Sequence, residues 1–147
     1  MVARLSHSGH RGGVRRSANP SSTRPSQSAA WRLAALLGGA GVLHFVKPEF
    51  FDQSVPRSLP GSARTYTYAS GVAELAVAGA LALPRTRRLG AGAAATLFVA
   101  VFPANVQMAA DWLRSAKMST PMKVGIIARL PLQIPLVTES LKARRNA

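Results

Sequence analysis

Six side chains of polar or ionisable type lie within otherwise apolar runs: His44, Glu74, Asn105, Gln107, Arg129 and Gln133. A carboxylate, a guanidinium and an imidazole are costly in hydrocarbon, so each needs a partner or a wet cavity. Together they have a definite chemistry. Arg129 holds a carboxylate such as Glu74 ionised, or binds an anionic or carbonyl head group. His44 takes or gives a proton near neutral pH. Asn105 and Gln133 offer both a donor and an acceptor. One reading is a ligand- or proton-handling pocket formed by His44, Glu74, Asn105, Arg129 and Gln133. A quinone suits that chemistry, because its carbonyls need donors and its ring needs an apolar slot. The other reading is architectural, with Glu74 and Arg129 as a buried ion pair fixing helix register and His44 and Asn105 as interhelical hydrogen-bonding groups. The residues alone leave both open, and no catalytic residue is assigned.

Other chemistry is absent. The chain has no cysteine, which removes thiolate nucleophiles, disulfides, iron–sulfur ligation and dithiol redox cycling. His7 and His10 lack metal-ligand spacing with carboxylates. No nucleophile elbow, phosphate-binding glycine loop, dinucleotide fingerprint or zinc-protease motif is present. The net charge is +14, from 19 Lys and Arg against 5 Asp and Glu. Nucleic acid is not the expected partner, because the basic residues sit in the tails and between apolar blocks, the distribution of membrane-flanking charge.

The elements that carry the polar residues are four apolar blocks, predicting an all-α membrane four-helix bundle with spans at about 29–46, 66–83, 89–110 and 124–141. Residues 1–28 are Arg- and Ser-rich without an acidic residue. They read as a disordered basic tail before a retained signal-anchor, with Arg15-Arg16 a weak twin-arginine match. Pro48 ends the first block. Residues 47–65 form a long loop containing a short segment at the membrane surface, and "PRTRR" makes a tight turn that forces blocks two and three to be antiparallel neighbours. Pro103 is expected to kink the third block. The fourth block, with Arg129, Gln133, Glu139, Pro131 and Pro135, has an interfacial helix as its alternative.

Lys and Arg counts orient the spans. The chain through Arg32 holds six, the 84–88 turn three and the tail 142–147 three, whereas the two remaining loops offset theirs with Glu49, Asp52 and Asp111. Both termini and the 84–88 turn are therefore expected in the cytoplasm. At ~1.5 Å per residue, Glu74 lies about 12 Å, Arg129 about 10 Å and Asn105 about 9 Å below the outer boundary. His44 lies near the outer end of the first span, so one polar residue from each helix falls in one layer.

The runs "GVLHFVKPEFFDQSVPRSLPG", "SGVAELAVAGALALPRTRRLGA", "VAVFPANVQMA" and "RLPLQIPLV" resemble the DoxX-like membrane proteins of bacteria. The matching elements are His44-Phe45 with Pro48, Glu74 after Gly71, and Pro103-x-Asn105. The resemblance covers about 31–141. It implies a four-helix bundle in the cytoplasmic membrane, associated in some relatives with a thiosulfate:quinone oxidoreductase subunit or a redox-defence complex. It makes this chain a non-catalytic or cofactor-dependent subunit near quinone chemistry. A lipid- or small-molecule-binding module and a scaffold for a membrane complex are the alternatives.

Overall fold

The computed structural model describes residues 26–147. The basic tail through Arg24, its twin-arginine match and His7 and His10 lie outside the described residues. Described residues from Ser28 onward form five helices: α1 (Ser28–Val46), α2 (Pro48–Asp52), α3 (Ala63–Ala82), α4 (Arg87–Arg114) and α5 (Thr120–Arg145).

Local chemistry sets the boundaries. Lys47 leaves the helical region before Pro48, with φ −133° and ψ 55°, which breaks α1 and restarts the chain as α2 with proline in its first turn. The described part of the expected 47–65 loop thus begins as a helical turn. Gly61 takes a left-handed φ of 87°, and Ser62 then caps α3 by accepting from the Thr65 amide. Leu83, extended before Pro84, ends α3. Helices α4 and α5 run through Pro103, Pro131 and Pro135 without a break in helical assignment.

The main packing pairs are α1 with α3 and α4 with α5, joined by α3 against α4 and α1 against α5. The α1–α3 pair is close because glycine faces glycine. A Cβ on Gly71 would lie 2.8 Å from His44 Cβ, and one on Gly41 would lie 2.8 Å from Leu75 Cγ. Small residues admit such an approach, and dispersion contacts hold it. Ala29, Leu33, Leu37, Ala78, Leu81, Ala91, Ala94 and Phe98 fill the core at this end. Met108, Trp112 and Ile126 form a second cluster toward the other end.

Arg87 fastens the end where α1 begins. It is buried and donates to the Leu81 and Ala82 carbonyls at the end of α3 and to Gln27 before α1, with the Trp31 ring 5.5 Å away. Two of the last carbonyls of α3, which have no donor within their own helix, are satisfied by this side chain. Arg32 pairs with Glu139 across α1 and α5, so the acidic residue of the fourth block has a partner at the helix end.

Three helices, α1, α4 and α5, are long and apolar enough to cross a membrane. Large apolar side chains face outward along them, Leu89 at 77 % and Ile134 at 70 % exposure. This outward apolar surface is that of a membrane protein. The block at 66–83 forms a helix of spanning length but falls outside that set of three. Thr65, Tyr66, Thr67, Tyr68, Ser70 and Glu74 dilute its first half. The fourth block, α5, lies against α4 along its length and meets the set's criteria.

Candidate functional site

The glycine crossing of α1 and α3 sets the first two residues of the site. His44 follows Gly41 by three residues, and Glu74 follows Gly71 by three. Side chains on a helix lean toward its amino end. On antiparallel neighbours that lean brings the two together, with His44 Nδ1 3.1 Å from Glu74 Oε2. His44 Nδ1 is also 2.8 Å from the Ala40 carbonyl, which can only accept, so Nδ1 carries a proton. Glu74 Oε2 is buried yet receives no well-directed hydrogen bond among the described residues, despite its short distance to the ring. The imidazole is stacked on Phe51 of α2, with ring centroids 3.7 Å apart.

Asn105 of α4 is a buried residue whose side chain makes no hydrogen bond among the described residues, whereas Glu74 Oε2 is the fully enclosed polar atom that lacks one. An amide that lines a cavity can be served there by water or a ligand. Pro103 lies two residues earlier in α4, inside the helix. Arg129 reaches the site from α5 and remains exposed.

His44, Glu74, Asn105 and Arg129 line one cavity of about 410 Å³. That is within the range of small-molecule sites. Its other walls are Leu43, Phe50, Phe51, Val55, Leu59 and Val101, with Thr67 and Ser70 as additional polar groups. Apolar walls with a few convergent polar groups orient a ligand through its head while its remainder is held by contact area.

Gln133 is separate from this group. It is buried against α4 and donates Nε2 to the Phe98 carbonyl at 3.1 Å. Pro103 cannot donate to the carbonyl one turn before it, and its ring crowds that turn. Gln133 supplies a donor beside this weakened stretch. Gln107 pairs with Asp111 on the exposed side of α4. The expected Glu74–Arg129 ion pair is also absent among the described residues, where His44 is the basic group within 4 Å of Glu74. The glycine crossing explains this, since it puts α3 against α1 while α5 stands across the cavity.

Sequence reasoning did not identify the roof. Short helix α2 covers the cavity, held by Asp52, which accepts from Arg64 Nε at 2.9 Å and from Thr67 Oγ1 at 2.7 Å. The Arg64 guanidinium, and after it the Thr67 hydroxyl, hold the Asp52 carboxyl below its ordinary range. Phe50 stands edge-on to Trp112, with centroids 6.1 Å apart, tying the roof to α4. The available signal was the opposite charge of Asp52 and Arg64 flanking a loop rich in Phe and Pro.

No curated protein and no solved structure matches the chain. Residues 33–144, which contain every residue of the cavity, match the family described as a domain of unknown function (DUF8561), and the chain belongs to that family.

Proposed function

We propose that this chain is a four-span integral membrane protein of the cytoplasmic membrane, with both termini inside, that binds an amphiphilic small molecule under α2. A quinone or a similar carbonyl-bearing lipid is the ligand class we assign, in support of a redox partner in the same membrane. The observation that carries the reading is the convergence on one cavity of Glu74 Oε2, buried without a hydrogen-bond partner among the described residues, and the Asn105 amide, with Arg129 beside them. Asn105 and Arg129 are donors for a carbonyl head, and Phe50, Phe51 and Val101 offer the apolar slot for a ring. The DoxX-like motifs agree with a quinone-linked subunit.

Two features support four spans in one bundle. Helix α3 has 20 residues, about 30 Å at ~1.5 Å each, which matches the hydrocarbon thickness. It also lies between α1 and α4 rather than apart from them. The basic residues Arg85, Arg88, Arg144 and Arg145 gather at the end where α1 begins, as expected of the cytoplasmic side.

The test is extraction in mild detergent followed by mass spectrometry of bound small molecules and proteins. A quinone or related amphiphile should accompany the wild type and be lost from Asn105→Leu and Glu74→Ala that still melt cooperatively. A ligand-free chain with a stoichiometric protein partner would overturn the binding reading in favour of a scaffold.

A further inference from the structure

Two residues of the polar cavity, Phe50 and Arg129, also line a second one of about 230 Å³. Met108 and Trp112 of α4 and Met122, Gly125 and Ile126 of α5 form its walls. Its lining is apolar apart from Arg129. Met122 and Gly125 are exposed, so the crevice reaches the outer surface of the helix pair. Nothing lies within 4 Å of where a Cβ on Gly125 would be, so this position faces open space.

We propose that the two cavities hold one molecule, with its hydrogen-bonding head against Asn105 and Glu74 and an unbranched apolar tail running past Phe50 and Arg129 through the crevice to the outward apolar surface of α4 and α5 near the outer boundary of the bilayer. This rests on the binding function proposed above and adds the shape of the ligand and its route of access. An apolar tail is stable where water is excluded, and the crevice opens between outward apolar surfaces of α4 and α5. Met108 and Met122 are unbranched and adaptable, suited to a flexible chain rather than one rigid shape. Phe50 is fixed by edge-on contact with Trp112 and Phe51, so it serves as a stationary wall where head and tail meet. Arg129 lies at the same junction, its methylenes able to follow the apolar wall while the guanidinium faces the head. The alternative path leads into the wide vestibule of about 800 Å³ outside the roof, which shares Val55, Pro56, Leu59 and Tyr66 with the polar cavity. Asp52, Arg57, Asp111 and Arg114 line that vestibule, so charge interrupts its apolar surface, whereas the crevice is apolar apart from Arg129.

The two tryptophans provide a direct test. In a Trp31→Phe background, Trp112 alone reports on the crevice. The detergent-purified chain is titrated with the ubiquinone head group lacking a tail and with its decyl derivative, following quenching of Trp112. The comparison between variants is the readout, so that the tail's own affinity for detergent cancels. We expect the decyl derivative to bind about tenfold tighter than the head alone, with Gly125→Phe abolishing that advantage and leaving the head alone unchanged. Asn105→Leu should weaken both probes. Should Gly125→Phe lower the melting temperature, Gly125→Leu is the smaller plug with the same expected outcome. A tail advantage that survives the folded plug overturns the crevice route and leaves the binding function standing. Failure of both probes to bind the folded parent overturns the binding function and this inference with it.

Discussion

His44 Nδ1 stands between two acceptors, 2.8 Å from the Ala40 carbonyl of its own helix and 3.1 Å from Glu74 Oε2 of the neighbouring one. The geometry favours the first, so the imidazole is oriented by its own backbone and the carboxylate oxygen retains unused capacity. The pair exists only because α1 and α3 meet at Gly41 and Gly71.

Gly71→Ala should therefore destabilise the protein by about 1–3 kcal/mol, because the added methyl presses on His44 Cβ and drives the helices apart. Gly79→Ala is the control. Its Cβ meets nothing within 4 Å, and alanine favours a helix by about 0.5–1 kcal/mol. Thermal melts in one detergent compare them; equal melting temperatures would show that the crossing is not tight.

The Asp52 latch should loosen in acid. Its carboxyl titrates lower in the folded chain than in the unfolded one, where the ordinary value is near 3.8. The stabilisation is complete above that value and fades as pH falls through the lower folded value. Hydrogen exchange of residues 48–62 should accelerate over that interval in the wild type. Asp52→Asn should exchange faster at neutral pH and lose the acid dependence. A wild-type profile flat down to the lowest pH at which the chain stays folded would refute the latch.

Gln133 separates support from binding. Gln133→Leu should cost about 0.5–1.5 kcal/mol by removing its buried hydrogen bond to the Phe98 carbonyl. Ligand retention by the folded variant should be unchanged. Loss of ligand without loss of stability would put Gln133 in the site after all.

The absence of cysteine makes topology easy to test. A membrane-impermeant maleimide should label Arg57→Cys in intact cells and reach Ala147→Cys or Arg85→Cys only after lysis. Labelling of Ala147→Cys in intact cells would overturn the assigned orientation.

Much of the helical layout was legible. The prolines at 48 and 84 and the apolar blocks between polar turns mark α1, α3, α4 and α5 to within a few residues. The grouping of His44, Glu74, Asn105 and Arg129 followed from depth alone, because residues at one level in antiparallel helices have a common neighbourhood. Depth carries no azimuth, however, and it joined Glu74 to Arg129 although the glycine crossing gives Glu74 to His44. Gln133 differs in level instead: it lies one turn past Arg129 on α5 and bonds to Phe98, two turns before Asn105 on the same face of α4. The roles of Asp52 and Arg87 were not legible either. Asp52 depends on a fold-back of the 47–62 segment, and Arg87, counted as membrane-flanking charge, is a buried donor to the end of α3.

Arg129 and the Glu139 partner of Arg32 both belong to α5, which follows the other described helices in chain order. Until α5 has left the ribosome, the faces bearing Glu74 and Asn105 have no far wall. Completion of α5 brings Arg129 to the cavity and Glu139 to Arg32 in the same step, so one helix both finishes the site and fastens the opposite end of the bundle.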